Sequence, residues 1–244
     1  MVDMKVKVLF FARVRELTGC DSTELEVAAL ARVQDVWRTV CNQFPALRDL
    51  EKTVIFSINQ EFARSTTEVQ EGDEIAVFPP VSGGASAAGN AFLTDPDGSI
   101  FQIGHSPIQV EALIDQLSQA EDGAVVVFAG IVRNNTGGRK TLYLEYEAYS
   151  PMALKKMREI GQALKRNWNI TRVGIAHRLG RLEIGEASVI IVVTSAHRKA
   201  AFEACQYAID TLKRTVPVWK KEFFADGAAW VEGEKFTWTG ITGR

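Results

Sequence analysis

The chain has 244 residues and carries 30 acidic against 28 basic side chains, a net charge of -2 that excludes binding nucleic acid along its whole length. Hydrophobic residues make up 46% and charged residues 24%, a soluble composition with apolar material for two cores. No apolar run reaches the ~18 residues of a membrane span, and the opening Met1-Val2-Asp3-Met4-Lys5 lacks a signal-peptide apolar segment. The three widely spaced cysteines (Cys20, Cys41, Cys205) form no CxxC, which predicts reduced thiols in a cytoplasmic protein without disulfides or a zinc site.

Lys5-Val6-Lys7-Val8 alternates polar and apolar residues and predicts a strand over 5–11. A second strand over 22–27 follows a Gly19-Cys20-Asp21 turn, so the opening reads as a hairpin. Val33, Val36, Trp37, Val40, Cys41 and Phe44 recur at helical spacing until Pro45 stops the helix. Strands over 54–58 and 74–78 complete a β-β-α-β-β order, that of a ubiquitin-like β-grasp domain. It closes on Phe78-Pro79-Pro80-Val81-Ser82-Gly83-Gly84. Paired glycines lack Cβ atoms and can thread a channel that larger residues would block. The small residues over 82–91 mark a linker.

The second block predicts a strand over 99–103, then a helix capped by Ser106 with Pro107 at its first position and Gln109 completing a capping box. The apolar run 124–132 reads as a strand buried on both faces, and 133–140 as a polar loop. Alternation continues through Leu142, Leu144 and Tyr146, and Ser150-Pro151 opens a helix reaching about Trp168. Strands over 172–178 and 187–194, a helix over 198–212, and strands over 218–224 and 228–232 finish an α+β block.

Three places could carry chemistry. Lys213 ends a helix, Pro217 breaks it, and Lys220 and Glu222 share one face of the next strand by period-two alternation. Two ammonium groups brought together suit acid/base or nucleophilic lysines; solvated surface cations are the other reading. Thr194-Ser195-Ala196-His197-Arg198 at a strand-to-helix junction suits an anion site, or an ordinary helix start. Arg133 follows the apolar strand 124–132 at the mouth of a glycine-containing loop, a common site position and equally common as plain solvated loop. His105 and His177 have no partner pattern and read as structural or surface residues.

Together these stretches resemble the molybdopterin synthase family, with its small sulfur-carrier subunit joined to its large catalytic subunit. The carrier part ends on Gly83-Gly84. The catalytic part is carried by Phe128-Ala129-Gly130-Ile131-Val132-Arg133-Asn134, Leu144-Glu145-Tyr146-Glu147-Ala148-Tyr149, His177-Arg178-Leu179-Gly180, Thr194 to Arg198, Leu212-Lys213, Lys220-Lys221-Glu222 and Trp230-Val231-Glu232. The resemblance implies an α+β chain with a β-grasp domain over 1–84, a flexible linker over 85–91 and an α/β-hammerhead-type catalytic domain over 92–244. It implies a sulfurtransferase that delivers two sulfurs, as a thiocarboxylate on Gly84, to cyclic pyranopterin monophosphate, with no prosthetic group and no metal. Lys213, Lys220 and Gly84 carry over as catalytic, and Ile131, Val132, Arg133, His197, Arg198, Lys221 and Glu222 as the substrate pocket. The implied partners are an adenylating and sulfurating activating enzyme and a second copy of the catalytic domain, with neither nucleic acid nor membrane.

One departure matters. The Gly84 carbonyl is an amide to Ala85, which offers no carboxylate to adenylate. The chain is cut after Gly84, or takes sulfur from a separate carrier while fused, or is inactive; a cut is the favoured expectation. In a non-enzymatic alternative, the β-grasp domain is a docking module on a pterin- or nucleotide-binding scaffold.

Overall fold

The computed structural model describes residues 3–51, 53–79 and 90–230. Strand β1 (Asp3–Phe10) buries alternate residues, as the period-two pattern requires. It pairs antiparallel with β2 (Ser22–Ala28), but their connection is not a simple turn. A helix, α1 (Ala12–Thr18), lies between them and closes on Gly19, whose φ of 72° is left-handed. The seven-residue helix is too short to show a period, and only Ala12 and Val14 are buried. Helix α2 (Val33–Gln43) buries the expected Val33, Val36, Trp37, Val40 and Cys41. Each such side chain contributes roughly 1.5–3 kcal/mol of burial. Strands β3 (Ile55–Ile58), β4 (Glu61–Ala63) and β5 (Glu74–Phe78) complete a sheet ordered β2-β1-β5-β3-β4, with β1 and β5 parallel at its centre. This is the β-grasp order, with the short β4 added.

The second part begins with a hairpin of β6 (Ala91–Thr94) and β7 (Ile100–Gly104). Helix α3 (Val110–Leu117) starts after Gln109 without a side-chain cap, so the expected Ser106-Pro107 start is displaced by several residues. Strand β8 (Ala124–Ile131) alternates half-buried and exposed positions rather than being covered on both faces. It lies at one edge of its sheet, and Val125, Val127 and Ile131 remain exposed. The polar loop contains a tight hairpin of β9 (Asn135–Thr136) and β10 (Arg139–Ala148). Its turn, Gly137-Gly138, takes φ of 57° and 80°, both positive as a two-residue hairpin turn demands. Helix α4 (Ser150–Asn167) is preceded by Tyr149 as its N-cap, so Ser150 is the first helical residue rather than the cap.

Strands β11 (Arg172–Arg178), β12 (Gly180–Glu183) and β13 (Ala187–Ser195), helix α5 (Arg198–Thr215), and strands β14 (Val218–Phe224) and β15 (Gly227–Trp230) follow. One sheet runs β6-β7-β11-β13-β8; the other runs β12-β10-β14-β15, with β9 on β10. Helices α4 and α5 pack over the first, burying Met157, Ile160, Leu164, Ala204, Ala208 and Leu212 in one core with Phe101, Ile175 and Ile191. Val231, Glu232 and the domain boundary at Gly84 fall outside the described residues.

Gly161 on α4 is where helix and sheet meet most closely. A Cβ there would lie 2.5 Å from Phe101 Cζ and 3.1 Å from Val173 Cγ1. Gly161→Val is therefore expected to cost about 1–3 kcal/mol through overpacking, read as a lowered denaturation midpoint of the second part.

Candidate active site

The β10–β14 ladder sets directly opposed residues on a common face. Tyr146 opposes Lys220 and Leu144 opposes Glu222; in the alternate register, Glu147 opposes Trp219 and Glu145 opposes Lys221. The first set lines a cavity of about 580 Å³, together with Phe128, Gly130, Ile131, Arg133, His177, Ser188, Lys213 and Trp219. Of the second set, Glu147, Trp219 and Lys221 contact the β-grasp part.

Lys213 and Lys220 reach the cavity from either side of the helix-to-strand corner at Pro217. Lys220 Nζ lies 2.8 Å from Glu222 Oε1, and Thr141 Oγ1 donates to Glu222 Oε2 at 3.4 Å. Glu222 is 1% exposed and the Lys220 side chain 30% exposed, so the carboxylate end of the pair is removed from water while the ammonium end keeps access to it. Lys213 and Arg133 have no ion-pair partner among the described residues. Three cations against one carboxylate favour an anionic ligand.

Of the sequence-expected pocket, Ile131, Arg133 and Glu222 line the cavity with the two lysines. Val132 does not: its side chain is buried with Leu144 and Leu182 beside it. Lys221 points the other way and donates to Glu16 Oε1 at 2.8 Å, because adjacent strand residues face opposite sides. His197 and Arg198 stand at the start of α5, whereas Lys213 is in its last turn. Fifteen residues of helix separate them by roughly 22 Å, so one chain does not bring them to this cavity. Gly84 lies outside the described residues.

Tyr146, His177, Ser188 and Trp219 belong to the cavity but were not singled out from sequence. The available signal for His177 was parity, since it shares the core face of β11 with Val173 and Ile175. Burial pushes the His177 imidazole down to about 4, opposed only by its bond to the Arg178 carbonyl. Burial raises the Tyr146 phenol, with Ser188 opposing and Glu222 adding.

The other face of the ladder holds the β-grasp part. Phe11 stacks on Trp219 at 5.5 Å and lies 5.0 Å from Tyr149, while Phe78 lies 5.4 Å from Trp219. Ala12, Ala76, Met152 and Tyr149 complete this apolar cluster. Polar contacts ring it. Tyr149 donates to Glu74, Lys156 donates to Glu61 at 2.9 Å, and Trp230 Nε1 donates to Glu16 at 3.0 Å. Trp219 thus touches both the cavity and the last strand of the β-grasp part.

Fold and site together define an enzymatic α+β unit with a ubiquitin-like carrier bound on the outer wall of its pocket. Residues 8–84 match the ThiS family and residues 103–215 the MoaE protein family. The chain is 47% identical over 131 residues to the molybdopterin synthase catalytic subunit of Bacillus subtilis, a match spanning 54% of this chain and 83% of that protein. Against the catalytic subunit of Staphylococcus carnosus, identity is 50% over 131 residues, covering 54% and 87% respectively. The crystal structure of molybdopterin synthase from Staphylococcus aureus superposes with a TM-score of 0.51 at 47% identity, covering 53% of this chain and 94% of that one. The chain belongs to the molybdopterin synthase family, enzymes of molybdenum cofactor biosynthesis, and joins a sulfur-carrier domain to the catalytic subunit.

Glu147 supplies a pH test of the interface. It is 2% exposed and pairs with Arg15 of α1 at 3.3 Å. Burial pushes its carboxyl up to about 7; Arg15 and the Ala12 N–H oppose this, while Asp21 and Glu16 add to it. An acid with a raised value binds its proton more tightly when docked and folded, so the stability it contributes falls as pH rises from about 4.5 to about 7. Thermal unfolding across that window should show the decline, and Glu147→Gln should flatten it. An equally steep profile in the variant would show that other groups control it.

Proposed function

We propose that this chain is a sulfurtransferase that converts cyclic pyranopterin monophosphate to molybdopterin, with sulfur carried as a thiocarboxylate on Gly84. One observation carries the reading: a cavity with Lys213, Lys220 and Arg133 shares Trp219 with the carrier strand that leads to Gly84. The five residue steps from Pro79 to Gly84 extend at most about 17–18 Å. Stacked layers are ~10 Å apart, so the tail has the length to pass from the outer wall into the cavity.

In this reading Arg133 holds the substrate phosphate and the cavity's aromatic side chains flank the pterin ring. The thiocarboxylate sulfur forms a bond to an oxygen-bearing side-chain carbon of the substrate as that carbon's bond to oxygen breaks, the oxygen leaving with the phosphate group or, once protonated, as water. Water then splits the acyl–sulfur bond and returns Gly84 as a carboxylate; a second charged carrier repeats the step. Lys220, paired with Glu222, is a fixed cation that stabilises the negative charge developing on the acyl oxygen. Lys213, without such a partner, moves the proton during attack and hydrolysis. Glu222 acts through Lys220, whereas Lys221 and Trp230 hold the carrier by Glu16.

Loading Gly84 needs a free carboxylate, so the chain is cut after Gly84 and an activating enzyme adenylates and sulfurates the released terminus. The 1–84 domain then works on the catalytic domain beginning near residue 92. His197 and Arg198 would join the pocket from a second copy. The exposed Val125, Val127 and Ile131 on edge strand β8 favour such a homodimer.

Lys213→Ala and Lys220→Ala are each expected to abolish molybdopterin formation while leaving circular dichroism and carrier docking unchanged; full activity in both would end the assignment. The cut is read by intact mass of protein purified from its own host. Two fragments divided after Gly84 are expected, and full-length chain alone with activity retained would refute cleavage.

A further inference from the structure

We infer that His177 is a specificity residue: its Nε2 accepts a hydrogen bond from a ring N–H of the pterin, fixing the ring's orientation in the cavity. The inference rests on the proposed substrate and adds a residue to its recognition.

His177 is 5% exposed, and what remains faces the cavity it lines. Its Nδ1 lies 3.0 Å from the Arg178 carbonyl oxygen. A carbonyl can only accept, so Nδ1 carries the proton and Nε2 of the neutral ring keeps its lone pair. Nε2 has no hydrogen-bond partner among the described residues. The tautomer is locked by a main-chain group of the neighbouring residue, and the ring is braced edge-on by Tyr146, 5.2 Å away at 63°.

Apart from the hydroxyls of Thr136, Tyr146 and Ser188, which can donate as well as accept, the other polar side chains of the cavity leave this acceptor role open. Arg133, Lys213 and Lys220 are donors only. Glu222 is occupied by Lys220 and Thr141. Ser188 donates its hydroxyl to the Gly130 carbonyl at 3.1 Å, with the Tyr146 phenol beside it. A buried neutral acceptor among cations suits a ligand that is anionic at one end and carries ring N–H donors at the other. A pterin monophosphate has both. An analogue with a methyl group in place of that N–H would leave Nε2 unpaired and clash with it.

The test uses the protein as purified from its own host, with its imidazole nitrogens labelled with nitrogen-15 and, for turnover, with carrier charged by the activating enzyme. Saturating pterin monophosphate should shift the unprotonated Nε2 resonance of His177 toward a hydrogen-bonded position while Nδ1 stays protonated. Two variants separate recognition from packing. His177→Asn keeps a donor for the Arg178 carbonyl but loses the distal acceptor. It should weaken pterin binding by roughly 10- to 100-fold, the cost of one unpaired buried donor, with kcat within about threefold of wild type. His177→Gln places an acceptor near the Nε2 position and should recover most of that loss. An unshifted Nε2 in a chain that binds and converts substrate would overturn the inference alone, as would a fall in kcat with unchanged binding. A wild-type chain that does not bind the pterin would overturn the substrate assignment as well.

Discussion

The alternation of side chains along β10 and β14 divides the labour of the molecule. Tyr146, Lys220, Leu144 and Glu222 face the cavity; Glu147, Trp219 and Lys221 face the carrier. The pairing register decides which residues do which, since a slip of one residue would send every side chain to the opposite face. A lysine that faces the cavity and a lysine that meets the carrier are therefore neighbours in sequence. The aromatic cluster of Phe11, Phe78, Tyr149 and Trp219 seals the carrier against this wall, and the ion pairs around it fix orientation more than they add affinity.

Electrostatic differences within the cavity follow from local connections rather than residue type. Lys220 is bound to a carboxylate that is itself held by Thr141, so its charge is fixed in position. Lys213 stands on the last turn of α5, where the helix dipole favours a cation but no carboxylate among the described residues holds it. His177 is kept neutral by burial among these charges. The cavity-facing groups thus comprise one fixed cation on a strand, one adaptable cation at a helix end, Arg133 in the loop just past β8 and one neutral acceptor on a strand.

Much of this was legible in the sequence because the strands and long helices show clear periods. Lys220 and Glu222 could be placed on one face by parity alone, and the same rule, applied one residue further, would have moved Lys221 to the other side. Helix α1 escaped because seven residues with two buried positions carry no detectable period. The apolar β8 was expected to be covered on both faces. An unbroken apolar run cannot say whether its second cover belongs to the same chain, and here Val125 and Val127 stay exposed. For His197 and Arg198, motif order carries no distance: a helix of 18 residues sets them far from Lys213 within one chain.

Joining the carrier to the wall it docks on changes the kinetics of that docking. In one chain the carrier meets its site at an effective concentration on the order of millimolar, fixed by the short connection and not by expression level. Even a weak interface then stays mostly closed, and leaving it is a local opening from which the carrier returns without a diffusional search. After the proposed cut, the same contacts would have to hold at cellular concentration. The aromatic cluster around Trp219 is therefore under little demand for affinity in the joined chain and would be under full demand in separate parts.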